Sequence, residues 1–338
     1  MNSNLEEQRP DRIVASLLRG HIVTQLIACA TRLGIPDHLD GRVRSVSELS
    51  QLAGTRSNEM FRFLRALQGL GLVEPVGDDT FRGTPLLAPL QQEAGGLYGQ
   101  ALMAGAEYYE AWMGLDYSLI TGASAFEARH GQTLYELLDQ KSDVAGSFAR
   151  TMRWNTTEVV SDLITLHDFS DKDVVADLGT GDATLVCGLL DSFPGMRGIA
   201  FDQPAVIEQA RRTVTERKLE DRCELVSGNF LSEVPPGASV YVLKSVLPNW
   251  SDESALEILR RCREAMNGKG RLLVVELVMS LDDVEDGAIR DMIMLVLFGG
   301  KNRTTDEYSV LLQQAGFIVD SVVDAPSGVC VLDARPLA

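Results

Sequence analysis

Apolar positions in the first forty residues recur at helical spacing: Ile13, Leu17, Leu18, Ile22, Leu26, Ile27 and Leu33. The pattern predicts helix across residues 12–40, with an apolar arc too wide for a lone surface helix. Such an arc needs a cover, and a second subunit supplies one. Ser45 or Ser47 can cap a short helix that follows. After a tight turn at Gly54, Met60, Phe63, Leu64 and Leu67 fall on one face of a helix over 58–70. Leu72–Pro75 and Thr80–Arg82, separated by Gly77-Asp78-Asp79, predict a hairpin wing. Helix, helix and hairpin in this order are the pattern of a winged helix.

Residues 96–165 are helical and crowded with Met103, Tyr108, Tyr109, Trp112, Tyr117, Phe126, Tyr135, Phe148, Met152 and Trp154. Most of these side chains are expected in the core. Tyr108, Trp112, Met152 and Asn155 are the candidates to wall an aromatic substrate pocket between domains, where such pockets tend to form. From residue 172 the pattern alternates strand and helix. Strands are expected at Val174–Asp177, Gly198–Phe201, Cys223–Ser227, Val240–Leu243, Arg271–Leu277, Phe317–Val323 and Val329–Asp333. The fold class is therefore α/β, a Rossmann-like doubly wound parallel sheet behind an N-terminal winged helix. Three segments follow: 1–95 for the winged helix, 96–165 for the helical connector and 166–338 for the sheet domain.

Charge narrows the partners. The formal net charge is −17, which argues against nucleic acid or an anionic membrane. Arg62 and Arg65 lie on the second helix of the winged pattern, but Glu59 sits beside them and acids balance bases through residue 95. A groove-reading module carries a clear basic surplus. No apolar run approaches the ~20 residues of a membrane span, and the polar start lacks a leader-like apolar stretch. Five scattered cysteines, Cys29, Cys187, Cys223, Cys262 and Cys330, read as free thiols of a reducing cytoplasm. No His, Cys or Asp cluster has metal-ligand spacing.

The chemistry concentrates at Val174-Val175-Ala176-Asp177-Leu178-Gly179-Thr180-Gly181, followed by Phe201-Asp202. A glycine turn at the carboxyl end of a parallel strand lets backbone approach a ligand closely. An acid closing the next strand can accept both hydroxyls of a ribose. The turn continues Asp182-Ala183, without the third glycine of a dinucleotide fingerprint. Asp177 would repel a pyrophosphate but suits a cationic amino acid. S-adenosylmethionine (SAM) fits this combination better than NAD.

The ordered set of motifs over residues 12–336 resembles the winged-helix-dimerised, SAM-dependent small-molecule O-methyltransferases, which include plant caffeate enzymes and bacterial polyketide-tailoring enzymes. The motifs are Asp177-Leu178-Gly179-Thr180-Gly181, Phe201-Asp202-Gln203-Pro204, Gly228-Asn229-Phe230, Leu243-Lys244-Ser245-Val246-Leu247, Trp250-Ser251-Asp252-Glu253 and Gly299-Gly300 with Arg303-Thr304. The resemblance implies a homodimer. It sets Gly179 and Gly181 against the methionine portion of SAM, Asp202 with Gln203 at the ribose, Phe230 beside the adenine, and Lys244 with Ser245 along the far side. Asn229 stands where the family usually has Asp, and its carbonyl can still accept from the adenine amino group.

The catalytic set departs from the family. Plant-type members place a histidine base just before an Asp-Trp pair, oriented by two glutamates. Here that position is Pro248, and the glutamate positions are Glu276 and Asn302. The four histidines, His21, His38, His130 and His167, all precede the cofactor sheet. General-base help is worth ~10²–10⁴-fold, whereas in-line positioning of an activated methyl can supply most of the remaining barrier reduction. The segment resembles anthracycline-type bacterial enzymes that also lack the histidine. Some of those have turned to hydroxylation or decarboxylation with SAM still bound.

Glu276 and Asp291 are the catalytic candidates. Met292, Leu295 and Phe298 on the helix of Asp291 are candidates to cover the substrate, with core packing as the competing reading. Asp282, Asp283, Glu285 and Asp286 read as a solvated loop. The expected function is SAM-dependent methylation of an aromatic or polyketide-like natural product without the histidine base. The alternative is a SAM-binding enzyme repurposed for hydroxylation, decarboxylation or cyclisation.

Overall fold

The computed structural model describes residues 9–93, 96–170, 173–279 and 284–337. Side chains at 139, 142–145, 147–151, 154–155 and 284–286 lie outside that description, as do residues 280–283 altogether. Two compact units emerge, residues 1–110 with 135–151, and residues 111–134 with 152–338.

In the first unit, helices Pro10–Leu17 and Gly20–Arg32 replace the single helix expected over 12–40. Gly34, at a left-handed φ of 66°, ends the second and starts the short Ile35–His38 helix. Leu17 and Leu18 are 74% and 69% exposed, so among the described residues this part of the apolar arc has no cover, whereas Leu26, Ile27 and Leu33 pack against the core. By length and mean hydropathy Pro10–Arg32 could cross a membrane, although Asp11, Arg12, Arg19 and His21 interrupt its apolar run.

Ser45 takes the backbone N–H of Glu48 while Glu48 returns to the backbone of Ser45, a capping box that starts helix Val46–Leu52. Strands β1 (Val43–Ser45), β2 (Val73–Pro75) and β3 (Thr80–Gly83) form an antiparallel sheet in the order β1-β3-β2. The hairpin falls where its sequence placed it, and β1 went unread because it is only three residues long. Leu49, Met60, Leu64, Leu67 and Phe81 are buried beneath it.

The second unit is built on a seven-stranded sheet. Its strands are β4 (Val174–Leu178), β5 (Arg197–Asp202), β6 (Cys223–Ser227), β7 (Val240–Lys244), β8 (Arg271–Glu276), β9 (Phe317–Asp324) and β10 (Cys330–Pro336). The spatial order is β6-β5-β4-β7-β8-β10-β9. Alternate residues face opposite layers. Val175, Val242 and Val275 pack with helix Thr184–Ser192, while Leu178, Leu243 and Val274 pack with helices Asp252–Met266 and Thr305–Gln314. Each fully buried side chain of this size stabilises by ~1.5–3 kcal/mol.

The strands were expected to be parallel, but β10 runs antiparallel to both β8 and β9. Only residues 325–329 join β9 to β10, too few for a crossover helix, so the chain returns as a hairpin. Parallel β5 and β7 flank β4 on opposite sides, and the chain crosses over in opposite directions from it. That switch point opens a crevice beyond the carboxyl ends of β4, β5 and β7.

Candidate active site

Beyond β4 the chain turns on Gly179 and Gly181, both left-handed at φ 76° and 59°. A side chain on Gly179 would lie 2.7 Å from Val246 Cγ2, whereas one at Gly181 would meet nothing within 4 Å. The second glycine therefore presents bare backbone to open space. Gly181 N donates to Asp202 Oδ2 at 2.9 Å, and Gln203 N donates to Asp202 Oδ1 at 2.7 Å. The carboxylate at the end of β5 is thus fixed against the turn at the end of β4.

Thr184 stands where a dinucleotide fingerprint has its third glycine, and Ala183 just before it is left-handed at φ 63° and buried. Left-handed geometry costs alanine ~1–2 kcal/mol. Asp182 Oδ1 accepts Thr184 N at 3.1 Å, and its Oδ2 takes Arg153 Nε at 2.7 Å.

The electrostatics favour a cation. Burial pushes the Asp177 carboxyl up to about 6, although the 2.7 Å hydrogen bond from Thr180 and the charge of Lys244 pull it back. Burial also raises Asp202, against the two amides it accepts. Lys244, closing β7, is lowered by burial, with Glu276 and Asp177 opposing. These carboxylates lack full compensation, so a cationic ligand would complete the site.

Phe230 packs edge-on to Trp250, with ring centroids 5.7 Å apart, and its Cε1 would lie 3.8 Å from a side chain on Gly179. Asn229 is exposed, and its Oδ1 accepts Leu231 N at 2.9 Å. Ser245 is strained at φ 56° and its N–H donates to Val275 O at 3.1 Å. An open glycine backbone, a fixed strand-end carboxylate, an aromatic face and an uncompensated acid together suit the amino acid, ribose and adenine of SAM.

Glu276, at the end of β8, is 1% exposed. Its Oε1 accepts Val246 N at 3.0 Å and Leu247 N at 3.2 Å, and burial pushes its carboxyl up to about 8 against those bonds. It therefore grips the turn that carries Pro248. Asp291 Oδ1 accepts Asn302 N at 2.8 Å. Met292, Leu295 and Phe298 are half-buried on helix Val284–Phe298, which packs against helices Leu115–Thr121 and Ala125–His130 and the Leu247–Asn249 turn.

Trp112 is half-buried and Met152 is 37% exposed in the second unit. Tyr108 is half-buried in the first, its hydroxyl pushed upward by burial. The side chain of Asn155 lies outside the described residues, as do Asp282, Asp283 and the side chains of Glu285 and Asp286.

His167 is buried, with Nδ1 3.5 Å from Asp333 Oδ2 and its ring against Phe169. Asp333 also pairs with Arg271 at the start of β8, the end of the sheet opposite the glycine turn. His21 is exposed, with Nδ1 2.7 Å from Leu18 O, and His130 packs on Phe126.

Sequence reasoning passed over Arg303, Arg153, Val246 and the hold of Trp250 on Phe230. Arg303 was quoted within a motif, but its partners, Asp252 and two carbonyls near residue 250, are remote in sequence. No spacing rule announces such a partnership.

A glycine turn at the switch point of a doubly wound sheet, with a ribose-suited carboxylate closing the next strand, defines the class I methyltransferase architecture. Residues 112–318 match the O-methyltransferase domain and residues 15–87 the O-methyltransferase dimerisation domain, and the chain belongs to this SAM-dependent methyltransferase family.

Phenazine O-methyltransferase PhzM of Lysobacter antibioticus is 35% identical over 96% of both chains. The structure of the mitomycin 7-O-methyltransferase MmcR superimposes with a TM-score of 0.89 at 30% identity, covering 96% of this chain and 97% of that one. An O-methyltransferase from neocarzinostatin biosynthesis was crystallised with SAM and 2-hydroxy-5-methyl naphthoic acid. It superimposes with a TM-score of 0.82 at 28% identity, covering 93% and 96%.

Proposed function

We propose that this enzyme methylates a hydroxyl on an aromatic natural product, and that it does so by positioning rather than by proton abstraction. The observation that carries this reading is the turn at residues 247–249. Proline occupies the base position, and the nearby Glu276 is committed to the amides of Val246 and Leu247. Relatives that act on phenazine, mitomycin and naphthoate scaffolds support the aromatic acceptor.

Gly179, Gly181, Asp202 with Gln203, Phe230, Asn229, Lys244 and Ser245 would hold SAM, with Asp177 facing its cationic end. SAM, when bound, would supply a methyl group on a sulfonium to the acceptor oxygen. Its S–CH3 bond would break to leave the neutral thioether S-adenosylhomocysteine, and the acceptor hydroxyl would give up its proton to water. Met292, Leu295 and Phe298, with Trp112 and Met152, would line the acceptor. Glu276 and Asp291 are read as holding the walls rather than touching the acceptor. The apolar arc at Leu17 and Leu18 would be covered by a second copy through the dimerisation domain.

Methyl-labelled SAM incubated with hydroxynaphthoates and hydroxyphenazines tests this function. Label in the product supports it. An altered but unlabelled product, with SAM unconsumed, would contradict it.

A further inference from the structure

In a site that works by placement, whatever fixes the acceptor-facing turn controls the rate. Backbone groups of Val246–Trp250 are held from two sides. Glu276 accepts Val246 N and Leu247 N from below. From the other side Arg303 Nη1 donates to Leu247 O and Nη2 to Trp250 O, each at 2.9 Å. Lys301 N donates to Pro248 O at 2.8 Å.

The guanidinium is 1% exposed, which is costly for a cation, yet it finds partners on every side. Nη1 also reaches Lys301 O at 3.1 Å, Nε donates to Asp252 Oδ1 at 2.9 Å, and the Tyr308 ring lies 5.8 Å away. A planar fork serves three carbonyls and a carboxylate at once, a geometry that lysine cannot reproduce.

Movement of this turn would reach both substrates. Val246 packs at Gly179 and Trp250 against Phe230, both cofactor-motif residues. The loop that carries Arg303 is tied to the helix of the acceptor wall, by Gly300 N to Met294 O at 3.1 Å and by Asn302 N to Asp291 Oδ1 at 2.8 Å.

We propose that Arg303, working opposite Glu276, is the positioning residue for methyl transfer, setting the Pro248 turn between the SAM-facing aromatic pair and the acceptor-facing helix. The proposal rests on the methyltransferase reading above. Misplacement of about 1 Å can cost a hundredfold in rate, so the clamp is a rate-setting element and not only a structural one.

The test is single-turnover transfer of labelled methyl from saturating SAM to a hydroxynaphthoate, normalised to SAM-binding sites titrated by calorimetry. Arg303→Lys should slow transfer at least tenfold per binding site, with acceptor KM changed less than threefold. Asp252→Ala removes the exposed partner of the guanidinium without opening the core, and should slow transfer severalfold even where Arg303→Lys fails to fold. Unchanged transfer per site in the variants, with only a lower melting temperature, would overturn the proposal alone. No label from the wild-type enzyme to any hydroxylated aromatic would overturn the methyl-transfer reading and this proposal together.

Discussion

Asp202 gives each carboxylate oxygen one backbone amide, Gly181 N and Gln203 N, and keeps further lone pairs for a ribose. Two charge-assisted hydrogen bonds of about 1.5 kcal/mol each put the cost of Asp202→Ala at roughly a hundredfold in SAM affinity. Calorimetric titration checks this, and wild-type affinity in the variant would misplace the cofactor. Glu276 and Asp177 make a second prediction. Burial raises both above their ordinary values, to about 8 and about 6. The native state therefore holds protons that the unfolded chain releases from about pH 4 upward. Stability is greatest below that range and is lost as pH rises toward 8. The melting temperature should fall from pH 5 to pH 8, and Glu276→Gln should flatten the fall. A bound cation beside Asp177 should make SAM protect more at pH 8 than at pH 5.

At the scale of elements, Gly300 shows how tightly the acceptor side is built. A side chain there would lie 2.1 Å from Pro248 O and 2.7 Å from Asn249 C, and backbone cannot yield that far. Gly300→Ala should cost about 3 kcal/mol, read by denaturant unfolding, and should abolish transfer. The strands were legible because β-branched runs alternate with amphipathic helices. Ser251 caps helix Asp252–Met266 by accepting Ser254 N, and a serine followed by two acids is a local signal of such a start. The reversal of β10 is a matter of a five-residue connection, which a strand pattern alone does not weigh. The glycine turn and Asp202 were readable for the same local reason as Ser251. The clamp of Arg303 and Glu276 was not, since its partners lie 29 to 56 residues away along the chain. Asp252 illustrates both cases. Its place in the first turn of helix Asp252–Met266 is a local matter, but its bond to Arg303 depends on tertiary packing.

For the whole molecule, the uncovered face of Pro10–Arg32 and the match to a dimerisation domain belong together. Sedimentation should give a dimer, and Leu17→Glu with Leu18→Glu should shift it to monomer, because two carboxylates in an apolar contact cannot be desolvated cheaply. The account turns, however, on a reaction without a protein base. Its most direct test is the pH dependence of methyl transfer across hydroxynaphthoates of graded acidity. Placement alone predicts that the inflection follows the acidity of each acceptor and that Pro248→His adds less than tenfold on the most acidic one. An inflection at one fixed pH for every acceptor would show that a group of the enzyme removes the proton, and would contradict the account.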